Sequence, residues 1–273
     1  MSNDEVLLHF FTYVNDFGGG TGDIGRKKGM KPSGNKVLIT GATSGIGLAL
    51  AERFLELGNA VVAVGRNTET LNPLRQKYPR LFPVPCDLAG ERGPDELALH
   101  VKQQHPDLNV LINNAAIQYN YHFLEATDIV AQAGYEINLN LTVPVKLCAL
   151  LLPVLRLQPE AAVVNVSSGL ALVPKKSAPV YCGTKAGLHL FTKALRYQLE
   201  GSPVKVFEII PPVVDTPMTA GRGRSKISPA QLVDEFMRAF AADRFEVNIG
   251  KVKLLRLLNR LWPSLADRIL KNG

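Results

Sequence analysis

From Lys36 onward, short apolar runs alternate with longer segments in which apolar residues recur every three or four positions. Continuous apolar runs of this length are typical of strands covered on both faces, whereas the second pattern is typical of amphipathic helices. The runs predict six strands, at 37–40, 60–64, 81–85, 110–112, 162–166 and 204–210, the third of which contains prolines. The periodic segments predict helices at 46–57, 68–78, 91–105, 127–155 and 180–200.

Strands that alternate with helices imply βαβ units and therefore a parallel sheet with right-handed crossovers. We expect an α/β protein, a single-domain Rossmann-like doubly wound parallel sheet with helices on both faces. In such sheets ligands bind beyond the carboxyl ends of the strands. Thr40, Asn113, Ser168 and Pro211 fall at or just after predicted strand ends, so we expect them along one edge of the sheet.

The first 34 residues do not share this alternation. An apolar run at 6–14 follows two acidic residues, so the charged start of a signal peptide is missing, and the segment 17–29 is rich in glycine. Glycine-rich segments behave as flexible chains. We therefore expect residues 1–34 to be a flexible N-terminal extension and residues 35–273 to form the domain. No segment has the roughly 18 consecutive apolar residues of a membrane span.

The composition is that of a soluble globular protein, with 46% hydrophobic and 20% charged residues. The net charge of +7 is spread along the chain, so a nucleic-acid partner is not expected, and a basic surface suits a phosphate-bearing cofactor. Three cysteines without paired spacing indicate a reducing, cytoplasmic location. The five histidines are scattered, so no metal site is expected.

A glycine-rich turn, TGATSGIG at 40–47, directly follows the first predicted strand. Glycines let the backbone turn tightly and approach a pyrophosphate, and the helix that begins there offers free N–H groups. The spacing is Gly-x-x-x-Gly-x-Gly rather than the Gly-x-Gly-x-x-Gly of many dinucleotide folds. A plain strand-to-helix turn is the alternative, but the position after the first strand favours a dinucleotide site.

The second predicted strand ends at Gly65 and Arg66. A carboxylate at this place binds the ribose 2′-hydroxyl of NAD, whereas an arginine pairs with the 2′-phosphate of NADP. The sequence therefore favours NADP(H) over NAD(H), with a solvated loop arginine as the alternative.

Tyr181 and Lys185 lie four residues apart near the start of a predicted helix, so they share one face of it. A free phenol has a pKa of about 10, and a neighbouring ammonium lowers that value by favouring the phenolate, as acid/base work requires. The pair alone is a weak signal. Ser168, which closes the fifth predicted strand, adds a hydroxyl 13 residues before the tyrosine.

Taken together, these motifs resemble the short-chain dehydrogenase/reductase family over residues 36–218. The resemblance rests on the phosphate loop, Asp87, Asn113-Asn114-Ala115, Asn138, Ser168, Tyr181, Lys185 and the segment Pro211-Pro212 with Thr216. Ala116 and Pro212 stand where the family often has glycine, and we expect them to alter backbone detail rather than remove activity. The tail, with Phe245-Glu246-Val247 before it, resembles the DltE-like branch of the family.

The resemblance implies a role for each catalytic candidate. Tyr181 is the general acid/base, Ser168 hydrogen-bonds the reacting oxygen, and Lys185 holds the nicotinamide ribose and lowers the pKa of the tyrosine. Asn138 holds a water in the proton relay; Asn140 is a rival for that role, but the family register favours Asn138. The implied NADP(H) site consists of Thr40, Gly41, Thr43, Ser44, Gly45, Ile46, Gly47, Arg66, Asp87, Leu88, Asn114, Ala115, Tyr181, Lys185, Pro211, Val214 and Thr216. For Asp87 and Thr216, capping of a loop is an equal alternative.

The resemblance also implies that the substrate is chosen by a loop at about 213–230 and by a C-terminal helical tail. Arg222, Arg224 and Lys226 in that loop suggest contact with an acidic substrate, with a solvated lid as the alternative. The basic, amphipathic tail at 251–262 favours packing on the core or on a sister subunit in a dimer or tetramer over contact with a membrane surface.

The expected function is interconversion of a carbonyl and an alcohol with NADP(H). The alternatives are a catalytically quiet NADP(H)-binding regulator or scaffold and, ranked lower, a sugar-nucleotide epimerase or dehydratase. The complete set of Ser168, Tyr181 and Lys185 argues against the quiet regulator. The glycine spacing and the chain length argue against the epimerase or dehydratase.

Overall fold

The structure, a computed structural model, describes residues 29–223 and 225–272. Its strands form one parallel sheet in the order β3-β2-β1-β4-β5-β6-β7. The strands are β1 (Lys36–Thr40), β2 (Ala60–Gly65), β3 (Leu81–Pro85), β4 (Val110–Asn113), β5 (Ala161–Val166), β6 (Val204–Ile210) and β7 (Glu246–Asn248). The α-helices are α1 (Gly45–Glu56), α2 (Asn72–Lys77), α3 (Gly93–Gln104), α4 (Ile129–Ile137), α5 (Val143–Leu155), α6 (Pro179–Gln198), α7 (Pro229–Ala241), α8 (Val252–Leu261) and α9 (Pro263–Leu270).

The predicted doubly wound α/β fold is confirmed, since helices cover both faces of a parallel sheet. On one face the helices α1 and α7 meet through Phe54 and Phe240, whose ring centroids lie 6.1 Å apart. On the other face α3, α5 and α6 contribute Leu97, Leu147 and Leu195 to a second apolar layer. Burial on both faces is the reason that the strands read as continuous apolar runs.

The helix predicted at 127–155 is α4 and α5 joined by a π-helical turn, Asn138–Thr142. Within the described residues this is the one helical stretch that is long and apolar enough to cross a membrane. Its residues Val143, Leu147 and Leu151 are buried in the core beside the sheet. The stretch is apolar because it is a core helix of the domain.

The chain enters the domain earlier than predicted. Residues 1–28, which make up most of the predicted flexible extension, lie outside the residues that the structure describes. Met30, however, is buried in the core, and its backbone N–H donates to Asp243 Oδ1 at 3.1 Å. The chain therefore contacts the core before the predicted boundary between residues 34 and 35, and a single apolar residue in an irregular segment gives no periodic signal of it.

Side-chain hydrogen bonds hold the carboxyl ends of the strands in position. The Thr40 hydroxyl accepts from the backbone N–H groups of Asn114 and Ala115 at 2.9 and 3.0 Å. The Asn114 amide donates back to the carbonyl oxygens of Thr40 and Gly41 at 2.9 and 3.2 Å. These bonds lock the end of β4 to the end of β1, where the glycine-rich turn begins.

Candidate functional site

A cavity of about 870 Å³ opens at the carboxyl edge of the sheet. It runs from the glycine-rich turn after β1, past the ends of β4, β5 and β6, to the C-terminal helices α8 and α9. This volume lies in the upper part of the range for ligand sites, and the carboxyl edge is where parallel α/β sheets bind ligands.

The glycine-rich turn at one end of the cavity fits an anionic group. Gly41 has φ +64°, a conformation that favours glycine, and a side chain on Gly47 would place its Cβ 2.1 Å from the carbonyl oxygen of Gly41. The Ser44 side chain makes no capping hydrogen bond, and the first turn of α1 carries no acidic residue. The N–H groups of that turn are therefore open to phosphate oxygens.

Arg66 extends from the end of β2 into the same end of the cavity. Its side chain is exposed, and within the described part of the chain no carboxylate lies within salt-bridge distance of it. A guanidinium in this position is available to a phosphate group.

Asp87 and Thr216 line the cavity and also cap their own loops. Asp87 Oδ1 accepts from the N–H of Ala89 at 3.2 Å. The N–H of Thr216 donates to Thr219 Oγ1 at 3.2 Å in a capping box that starts the 3₁₀ helix Pro217–Thr219. The two interpretations that the sequence left open are thus compatible, because each residue faces the cavity from a rigid turn.

Ser168, Tyr181 and Lys185 come together where β5 ends and α6 begins. All three are buried and line the cavity. Lys185 Nζ lies 5.8 Å from the centroid of the Tyr181 ring, and it donates to the carbonyl oxygen of Val166 at 2.8 Å. Ser168 begins the 3₁₀ helix Gly169–Ala171, and its hydroxyl accepts from the N–H of Leu170 at 3.1 Å.

Burial shifts the acid/base properties of this group. It raises the pKa of Tyr181 to about 12, while a hydrogen bond from Ser168 and the charge of Arg222 act in the opposite direction. It lowers the pKa of Lys185 to about 8, opposed by the nearby carboxylate of Glu208. The lysine still carries its charge at neutral pH, so a positive group stands beside the phenol in a site that is largely closed to water.

Most of the residues expected at the cofactor end do line the cavity: Gly41, Thr43, Ser44, Gly45, Ile46, Arg66, Asp87, Leu88, Asn114, Ala115, Pro211, Val214 and Thr216. Thr40 and Gly47 are buried just behind it. Thr40 acts through the hydrogen bonds that join β1 to β4, and Gly47 allows α1 to pack against the turn.

Neither Asn138, the expected relay residue, nor its rival Asn140 lines the cavity. The Asn138 amide donates to the carbonyl oxygen of Ala89 at 3.0 Å. Asn140 is fully buried; it accepts from the N–H of Ile117 at 2.9 Å and donates to the carbonyl oxygen of Ile117 at 2.8 Å. It also contacts the Thr184 hydroxyl at 3.3 Å. The π-helical turn thus presents Asn140, the rival candidate, to Thr184 of α6, and the relay role of Asn138 stays a prediction.

The far end of the cavity contains Arg222, one of the three loop cations expected there, and Lys175, which the sequence did not identify. Lys175 lines it from the segment after β5, and Arg222 lines it from the loop after β6. Lys226 instead bonds Asp215 and the carbonyl oxygen of Thr219, and Arg224 lies outside the described residues. The tail supplies an apolar wall made of Val252, Leu254, Leu255, Leu258, Ile269 and Leu270. The amphipathic pattern at 251–262 was the available signal for that wall.

Comparisons with known proteins agree with this site. The sequence profile of the short chain dehydrogenase family matches residues 35–226. The uncharacterized oxidoreductase DltE of Bacillus subtilis (strain 168) is 42% identical over 234 residues, which cover 83% of this chain and 92% of that protein. L-xylulose reductase of Mus musculus is 32% identical over 243 residues, covering 88% and 96%. A short chain dehydrogenase from Burkholderia cenocepacia, crystallised with NADP, superposes with a TM-score of 0.80 at 27% identity, covering 89% of this chain and all of the other.

The profile covers most of the domain, and the DltE alignment spans nearly the whole relative. The chain therefore belongs to the short-chain dehydrogenase/reductase family of NAD(P)-binding oxidoreductases and is similar to DltE within it.

Proposed function

We propose that this protein interconverts a carbonyl and an alcohol with NADP(H) as its cofactor. The observation that carries the proposal is the layout of one cavity: the anion-binding turn and Arg66 form one end, and Ser168, Tyr181 and Lys185 lie further along it. When bound, the nicotinamide supplies or accepts the hydride. The protein's own residues bind and orient the reactants and move the proton.

Tyr181 is the proton donor in reduction and the proton acceptor in oxidation. Its hydroxyl is buried, so the proton passes to the substrate oxygen rather than to bulk water. Ser168 stands beside it to hydrogen-bond the same oxygen. The Lys185 ammonium favours the phenolate that remains after the proton is given up.

Asn140 acts as a positioning residue, whereas the resemblance implied that Asn138 holds a water in the proton relay. It ties the strand end near Ile117 to Thr184, whose hydroxyl donates to the carbonyl oxygen of Tyr181 at 2.8 Å. This chain of bonds reaches the first turns of α6 from the side opposite the sheet. It holds the backbone that carries Tyr181 and Lys185.

We also infer that the protein is a cytoplasmic homo-oligomer, a dimer or tetramer. Leu190 and Tyr197 on α6 are exposed, and a second subunit would cover that apolar area. Cys86, Cys148 and Cys182 are free thiols, which suits a reducing compartment. Light scattering on the purified protein measures the subunit number, and a monomer at micromolar concentration would contradict the oligomer.

Replacing Tyr181 by Phe should abolish turnover while leaving cofactor binding intact, and Tyr78→Phe, a tyrosine after α2 that does not line the cavity, should change neither. The phenyl ring keeps the packing but removes the proton, and loss of a general acid costs roughly 10²- to 10⁴-fold in kcat. The measurement is fluorescence titration with NADPH and NADH, followed by NADPH oxidation across aldehydes, ketones and quinones. A Tyr181→Phe variant within tenfold of wild type would remove the tyrosine from the mechanism, and failure of wild type to bind either nucleotide would remove the cofactor.

Replacing Lys185 by Met should abolish activity yet stabilise the fold at neutral pH. The pKa of about 8 in the folded protein lies below the ordinary 10.5, so at pH 7 folding retains a buried charge that unfolding releases to water. Removing it should raise the free energy of unfolding by on the order of 1–3 kcal/mol. Between pH 8 and 10.5 the unfolded chain binds more protons than the folded protein. Wild type should therefore gain stability in this range, and the difference in the free energy of unfolding between Lys185→Met and wild type should shrink. Denaturant titrations at pH 7 and 9.5 measure it, with exposed Lys193→Met as the control; a gap that widens with pH would contradict the assignment.

Replacing Arg66 by Ala should weaken NADPH binding about 10- to 100-fold and leave NADH binding unchanged. The estimate follows from the loss of a charge-assisted hydrogen bond to the 2′-phosphate. Dissociation constants from fluorescence titration measure it, and Arg75→Ala, an exposed arginine on α2, is the matched control. Equal losses for both nucleotides would show that Arg66 does not read the phosphate.

Replacing Asn140 by Ala should lower kcat at least tenfold, whereas Asn138→Ala should stay close to wild type. The first change leaves the half-buried N–H and carbonyl of Ile117 without their partner, and the second removes one bond to Ala89. Steady-state rates are measured beside thermal unfolding and the pH dependence of kcat, which a purely structural defect would not shift. A larger loss of kcat in Asn138→Ala than in Asn140→Ala would contradict the role of Asn140 and favour Asn138.

A further inference from the structure

Two cations face the part of the cavity that lies beyond Tyr181. Lys175 approaches from the segment between β5 and α6; its carbonyl oxygen lies 3.9 Å from Cys182 Sγ, next to the tyrosine. Arg222 approaches from the loop after β6 and donates to the carbonyl oxygen of Met218. Both side chains are half-buried and line the cavity.

These two cations repel each other without a counter-charge. Burial lowers the pKa of the Lys175 ammonium, and the Arg222 guanidinium lowers it further. Across residues 29–223 and 225–272, neither side chain has a carboxylate within 4 Å. Like charges held together in a partly desolvated place cost stability, so an arrangement of this kind is favourable only when an anion joins it.

Two other half-buried lysines are paired with carboxylates. Lys226 pairs with Asp215 at 3.2 Å, and Lys205 pairs with both Glu160 and Asp243. Within the described residues Lys175 has no such partner, and Arg222 bonds a backbone carbonyl instead of a carboxylate, as the half-buried Arg196 does. This difference in partners separates Arg222 from Lys226, although the sequence analysis had grouped the two as candidates for contact with an acidic substrate.

The two cations lie at the reaction end and not at the cofactor phosphates. Arg222 is close enough to Tyr181 to lower its pKa, whereas the anion-binding turn and Arg66 lie at the other end of the cavity. The same cavity is also lined by apolar side chains, among them Met218 and, from α8, Leu255 and Leu258.

We propose that Lys175 and Arg222 form a carboxylate-binding subsite, which selects aldehydes or ketones that carry a carboxylate next to an apolar body. This inference rests on the proposed oxidoreductase function and names its substrate class. The carboxylate binds between the two cations, the apolar body packs against α8, and the carbonyl carbon is brought to Ser168 and Tyr181.

The first test compares 4-carboxybenzaldehyde with its neutral counterpart methyl 4-formylbenzoate, with NADPH. Lys175→Met and Arg222→Met should each raise KM for the carboxylate about 10- to 100-fold, as expected for loss of a charge-assisted contact. KM for the ester should change less than twofold, as should the dissociation constant of NADPH. Lys176→Met is the control, because this lysine is the exposed neighbour of Lys175 and does not line the cavity.

A second measurement keeps the subsite testable if neither aldehyde is turned over. Calorimetric titration with terephthalate, with and without NADPH, should show binding to wild type and to Lys176→Met. This binding should be lost in the variant that combines Lys175→Met and Arg222→Met. Such binding without turnover would support the subsite and count against the reaction. Equal KM changes for acid and ester, weaker NADPH binding in the variants, or no terephthalate binding to wild type would each overturn the subsite.

Discussion

The site depends on how α6 is fixed to the sheet, and polar rather than apolar contacts do this along one stripe of the helix. Lys185 donates to the carbonyl of Val166, and Arg196 donates to the carbonyl of Val206 at 2.8 Å. Between them, His189 meets the buried Glu208 at 2.9 Å, and Thr192 accepts from Asn165 at 2.8 Å. Spacings of four, three and four residues keep all of these on one face. Because hydrogen bonds are directional, this stripe fixes the rotation of the helix as well as its distance from β5 and β6, and with it the direction of Tyr181.

This arrangement explains why a charged lysine is tolerated in a buried place. An uncompensated ammonium in the interior is costly, and the lowered pKa of Lys185 reflects that cost. Part of it is offset by the Val166 carbonyl and by the nearby Glu208. The rest of the cost in stability is expected of a site that must hold a positive charge beside a phenol. Functional residues are retained at such places even where an apolar residue would make the fold more stable.

Much of the fold and one end of the site follow from local sequence. The six predicted strands are visible because burial on two faces demands uninterrupted apolar residues, and the turn at 40–47 requires glycine for backbone reasons. By contrast, β7 has only three residues at the sheet edge, and Met30 belongs to no repeating pattern. The choice between Asn138 and Asn140 depends on a π-helical turn, which shifts the helix face by one extra residue per turn and leaves no mark in the composition. Lys175 and the apolar wall from the tail enter the site only through tertiary packing.

The charged side chains that line the cavity are mostly basic, and this affects the protonation of Tyr181. The charged side chains that line it within the described part of the chain are Arg66, Lys175, Lys185, Arg222 and Lys251, against the single acid Asp87. With no substrate anion present, Arg222 favours the phenolate form of Tyr181. Burial already keeps the phenol protonated at neutral pH, and a carboxylate bound at the proposed subsite would offset the opposing charge of Arg222 and so add to that retention. Substrate binding and proton retention would then be coupled through one arginine, in the sense that carbonyl reduction requires.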